Sequence, residues 1–155
     1  MAFKDDLQTI CGKVQGSFAA SVMGFDGIPI ETHEAQAPDG VELQNLLVEY
    51  SGIVSQVRQA AEALQMGKAN EVSIRTEKLV AVARPLTPDY FVVLALSPEG
   101  NIGRARYELR VAGPKLAEAG DETARQRLSE LPSAGGKIAL LQDLLSRVQD
   151  RRRGH

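Results

Sequence analysis

The chain has 155 residues, a formal net charge of -2 and a sequence pI near 5.7. Hydrophobic residues at 43% and charged residues at 25% can fill one core and argue against a disordered chain. The charge balance offers no basic field for nucleic acid, and a single cysteine excludes an intrachain disulfide framework.

The N-terminus, with Asp5 and Asp6 close behind Met1, lacks the cationic start of a signal peptide. No run approaches the roughly 18 apolar residues of a membrane span. A cytosolic address without membrane insertion is expected.

Phe3, Leu7, Ile10 and Val14 recur at helical spacing and predict a helix over residues 3–15, stopped by Gly16. Phe18 to Phe25 reads as a strand, Asp26-Gly27 as a tight turn, and Ile28 to Thr32 as the returning strand. Pro29 cannot donate to a ladder, so this returning strand belongs at a sheet edge.

A long amphipathic helix is predicted from Val41 to Met66, ended by Gly67. Its core stripe is Leu43, Leu46, Leu47, Tyr50, Ile53, Val54, Val57, Ala61 and Leu64. Three strands follow at short intervals, Glu71 to Thr76, Leu79 to Arg84 and Tyr90 to Ser97, an antiparallel meander. Asn101 caps a closing helix carrying Ile102, Ala105, Leu109, Ala112 and Leu116, which Pro114 should kink or end.

Beyond Gly120 a polar helical piece (Asp121 to Leu131) and a second amphipathic helix (Ile138 to Gln149) are expected. The apolar face of the latter, Ile138, Leu141, Leu144, Leu145 and Val148, should dock on protein. The order of elements suits a two-layer α+β domain over residues 1–119, with a helical C-terminal extension over 120–155.

Catalytic chemistry has little to work with. His33 stands near Glu31 and Glu34 without a partner set, and His155 is the last residue. One cysteine and no paired histidines leave no zinc ligand set, and Cys11 on an apolar helix side is a core residue. Ala134-Gly135-Gly136-Lys137 lacks the spacing and the preceding strand of a phosphate loop. The reading is no enzyme, no metal and no cofactor.

Surfaces are more informative. The far side of the long helix carries Val48, Gly52, Ser55, Gln56, Gln59 and Ala63 where a water-facing crest would carry charge. This neutral crest is the expected partner-binding face. The strand Glu71, Val72, Ser73, Ile74, Arg75 has no proline or bulge glycine to block pairing, so it is expected to pair with its own copy across a twofold axis.

The chain resembles the Roadblock/dynein-light-chain family over residues 3–119. The resemblance rests on Phe25-Asp26-Gly27-Ile28-Pro29-Ile30, the long helix, and Asn101-Ile102-Gly103-Arg104-Ala105-Arg106-Tyr107-Glu108-Leu109-Arg110. It implies a five-stranded antiparallel sheet flanked by helices, a profilin-like architecture. It also implies a homodimer or paralogous heterodimer with the 71–76 strand at the seam.

The resemblance further implies work as a regulator or adaptor of a small Ras-like GTPase, or as a light chain on a motor. Bacterial members of the MglB type stimulate GTP hydrolysis by reshaping the GTPase's own active site. The open alternatives are a scaffold without effect on hydrolysis and a small-ligand sensor.

Overall fold

The computed structural model describes residues 2–36, 42–129, 142 and 144–147. The elements run α1 (Ala2–Lys13), β1 (Ser17–Gly24), β2 (Pro29–Glu34), α2 (Leu43–Ala63), β3 (Val72–Arg75), β4 (Val80–Pro85), β5 (Tyr90–Leu96) and α3 (Ile102–Ser129). The five strands form one antiparallel sheet in the order β2-β1-β5-β4-β3. Both expected edges are therefore edges: the proline-bearing strand on one side, the 71–76 strand on the other.

Strand alternation splits the core in two. Ala20, Val22, Val82, Val92 and Leu94 face α1 and α3, packing against Leu7, Ile10, Leu109 and Leu116. Ala19, Ala81, Ala83, Val93 and Ala95 face α2, packing against Leu43, Leu47, Tyr50 and Val54. The sheet is thus covered on both faces, three layers where the sequence suggested two.

Helix α3 departs further from expectation. It continues unbroken through Pro114 and past residue 120 to Ser129, so the separate polar piece is part of one helix. A proline removes one intrahelical bond, but a non-local contact holds the next turns. Leu116 and Ala119 are buried, and Tyr90 at the start of β5 directs its hydroxyl to the Ala117 carbonyl at 3.4 Å. At Gly120 a Cβ would fall on the Tyr90 hydroxyl and ring, so any larger residue there would force Tyr90 to shift. The start of α3 is as read: Asn101 Oδ1 accepts from the Arg104 N–H at 3.0 Å.

Helix α2 begins at Leu43, and Val41 lies outside the described residues. It ends at Ala63, with Gln65 at φ 56 and Gly67 at φ 86 turning the chain away before Met66 can extend it. Its buried residues are Leu43, Leu47, Tyr50, Ser51 and Val54, a narrower arc than the predicted stripe. The predicted helix Ile138 to Gln149 lies mostly outside the described residues. Of its apolar face Leu144 and Leu145 are described, and both are exposed.

Tyr50 is the bolt between α2 and the β3 edge. Its hydroxyl lies 2.7 Å from the Val72 carbonyl and 3.2 Å from that of Ala81, joining the helix to both strands of the outer hairpin. Burial, with Glu71 nearby, raises its pKa well above the usual tyrosine value, so it stays a donor. Tyr50→Phe keeps the ring and loses the bond. It should cost about 1 kcal/mol in urea unfolding and speed amide exchange in β3 first.

Candidate protein-interaction surface

One flank of α2 is tied down by turns. Ser55 Oγ donates to the Phe25 carbonyl at 3.0 Å, and Arg58 Nη1 to the Pro88 carbonyl at 2.8 Å. The Arg58 guanidinium lies 3.6 Å from the centroid of the Phe25 ring, which packs on Phe91 at 5.1 Å. The Phe25 N–H donates to the Asp89 carbonyl at 3.1 Å, so the β1–β2 and β4–β5 turns are joined. Gly27, at φ +89, makes the turn, and a Cβ there would approach Ser51 Oγ to 3.3 Å.

The other flank is open. Leu46 borders a groove of about 440 Å³ lined also by Tyr50, Ile74, Thr76, Leu79 and Ala81, with Glu77 and Lys78 of the β3–β4 turn at its border, which places this flank beside β3. Ile53, Val57 and Leu64 follow Leu46 by seven, eleven and eighteen positions and share its side of the helix. They are exposed by 43%, 39% and 70%. These three were expected in the core, and that expectation was wrong. The sheet beneath α2 is small-residued and occupies only the arc from Leu43 to Val54; past Val54 no residue of α2 is fully buried.

The β3 edge completes this surface. The Thr76 N–H donates to the Leu79 carbonyl at 2.8 Å, making residues 76 and 79 a bonded pair of the hairpin. Antiparallel alternation then turns the backbone groups of Ile74 and Val72 towards β4. Those of Ser73 and Arg75 turn outwards, unpaired with any strand. Side-chain charge sits to one side of this edge: Arg106 of α3 pairs with Glu71 at 3.0 Å, and Arg75 donates to the Pro98 carbonyl at 2.9 Å. The other side carries Val72 and Ile74, continuous with the open flank of α2.

The neutral crest of α2 falls largely as read. Val48, Gly52, Gln56, Gln59 and Ala63 are exposed. Ser55 is half-buried and engaged with Phe25, so it supports the crest and is not free on it. Around Gly52 an added Cβ would meet nothing, so no contact within the chain requires glycine there. The exposed apolar residues that the sequence reading placed in the core are Ile53, Val57 and Leu64. Their spacing from Leu46 was the available signal, but periodicity could not say which part of a broad stripe the sheet would cover.

Cys11 is buried beneath α3, and burial pushes its thiol up to about 11. At pH 8 its thiolate fraction is about 100-fold below that of an ordinary thiol, in addition to the steric shield. Alkylation by iodoacetamide should therefore follow global unfolding, and rapid labelling of the native protein would contradict this placement. His33 sits within β2, and among the described residues no three His, Cys, Asp or Glu side chains gather as metal ligands. No helix of the described residues is long and apolar enough to cross a membrane.

No family model matches the chain, and no curated protein does. Solved structures do. MglC from Myxococcus xanthus is 43% identical, with 77% of this chain and 99% of that chain covered, at a TM-score of 0.58. A Roadblock/LC7 domain from Streptomyces avermitilis is 14% identical over 81% of this chain and 98% of that chain, at 0.63. The gliding protein MglB from Thermus thermophilus is 18% identical over 76% of this chain and 87% of that chain, at 0.67. The last two share the fold, and MglC shares the sequence as well. The chain belongs to the Roadblock/LC7 family, as a relative of MglC.

Proposed function

We propose that this chain is a dimeric, non-catalytic regulator that binds a small Ras-like GTPase. The observation carrying this reading is the surface made by the outward edge of β3, the open flank of α2 and the neutral crest beside it, with exposed Glu49 between flank and crest and with Glu77 and Lys78 at the groove. Ile53, Val57 and Leu64 are exposed along one side of α2 and its C-cap, apolar side chains that a second protein surface would cover. The β3 edge and the flank would be shared with a second copy, and the paired crests Val48, Gly52, Gln56, Gln59 and Ala63 would meet the GTPase. Contact with the switch loops, which are bistable, would then bias the GTPase towards hydrolysis.

A second reading has its own support. Identity to MglC is 43%, against 18% to MglB, the type that the resemblance links to stimulated hydrolysis, so an adaptor that tethers partners without altering hydrolysis is the alternative. The two readings separate in one experiment. Immobilised full-length protein is offered lysate loaded with GTP or GDP analogues, and the turnover of any recovered GTPase is measured with and without it. Nucleotide-selective capture with faster turnover supports regulation, capture without it supports tethering, and absence of any GTPase contradicts both.

Gly52→Arg tests the crest. The open space around Gly52 accepts the side chain, and arginine favours a helix interior over glycine by up to about 1 kcal/mol. Thermal stability should hold or rise. At an interface centre the same charge is desolvated without a mate, and affinity should fall at least about 100-fold. Normal capture by this variant would remove the crest from the docking face.

A further inference from the structure

The outer face of α3 lies across the sheet from α2 and carries a pattern that the surface above does not use. Tyr107 and Val111 are exposed by 47% and 56%. Tyr107 is bracketed by the guanidinium groups of Arg104 and Arg110, at 5.6 and 5.7 Å from its ring. Between Ile102 and Gly120 four of the six charged side chains are matched: Arg104 to Glu108 at 2.7 Å, Arg106 to Glu71 at 3.0 Å, Lys115 to Asp6 at 3.3 Å. Arg110 and Glu118 are exposed and have no ion-pair partner among the described residues.

These two are of opposite sign on the outward side of one helix. Eight residues separate them along the axis, about 12 Å, too far to meet each other. Their midpoint is Pro114, exposed and without an N–H. A second α3 laid antiparallel about Pro114 exchanges the two positions, so each Arg110 faces the other copy's Glu118. Both charges are then matched by a single twofold operation, and Val111 falls opposite Ala117 of the second helix. The pattern is self-complementary, which is what an isologous contact requires.

We propose that the outer face of α3 is a self-association surface, on which a second copy of this chain packs antiparallel about Pro114. It is separate from the β3 edge, and its test does not depend on that seam. Where both operate, the assembly exceeds a dimer; where the β3 seam is absent, α3 alone gives the dimer.

The test is charge exchange in the full-length protein. Arg110→Glu and Glu118→Arg each place like charges at both ends of the contact, and each should reduce the mass found by light scattering to half or less of wild type. Co-expressed with different tags, the two variants restore both pairs, and the co-purified species should recover the wild-type mass. Single variants that keep the wild-type mass would overturn the proposal. So would single variants that lose mass without recovery on co-expression, because the loss would then not come from an Arg110–Glu118 pair.

Discussion

Gly120→Ala is expected to lower stability by about 2 kcal/mol, although alanine is the better helix former. Helix propensity alone favours the substitution by about 1 kcal/mol. Against it, the methyl group would occupy the space of the Tyr90 hydroxyl and ring, and overpacking of this kind costs about 3 kcal/mol. The steric term wins. The melting temperature should fall by about 6 °C, and a smaller residue at Tyr90 in the double variant should return part of it. Gly52→Ala, on the same propensity argument and with open space around it, should gain about 1 kcal/mol. If Gly120→Ala is as stable as wild type, the Tyr90 contact does not hold α3 beyond Pro114.

Ser73→Pro is expected to weaken the proposed β3 seam by at least 100-fold while leaving the fold intact. Alternation along the hairpin turns the Ser73 N–H away from β4, so proline there removes an outward donor and no bond within the sheet. In a twofold seam the loss occurs twice, and the ring also obstructs close approach of the partner strand. Together these exceed the roughly 2.8 kcal/mol that a 100-fold change requires. Val72→Pro would be a poorer test, since it breaks the ladder to β4 and confounds dissociation with unfolding. Light scattering across a dilution series distinguishes the outcomes: half the mass with native circular dichroism supports the seam, and unchanged mass contradicts it.

Much of the architecture was legible because its signals are local. Asp26-Gly27 marks a turn whatever packs around it, Pro29 bars an interior strand, and Asn101 caps a helix from three residues away. The failures all needed long-range information. Pro114 reads as a helix end until Tyr90 and Gly120, thirty residues apart in sequence, are seen to meet. Layer number was not readable either, because short connections say that strands are antiparallel and nothing of which face a helix will cover.

The candidate surface divides in the same way. The neutral crest could be recognised because missing charge is visible in the sequence. The flank of Ile53, Val57 and Leu64 could not, because an apolar residue left exposed has the same periodicity as one buried in its own core. Ser55 was misjudged for the opposite reason: a small polar residue on a crest looks free until its bond to the Phe25 carbonyl is located.

The claim that the β3 edge and the open flank of α2 form an association surface is tested most directly by amide hydrogen exchange in the full-length protein. At micromolar concentration the outward-facing amides of Ser73 and Arg75 should be protected to a degree comparable with β4, and segments covering Ile53 to Leu64 should be protected with them. In Ser73→Pro the Arg75 amide and the Ile53 to Leu64 segment should lose that protection together while β4 and β5 keep theirs. Exchange of Ser73 and Arg75 at the rate of an open strand edge in the wild-type protein, at every concentration measured, would contradict the account.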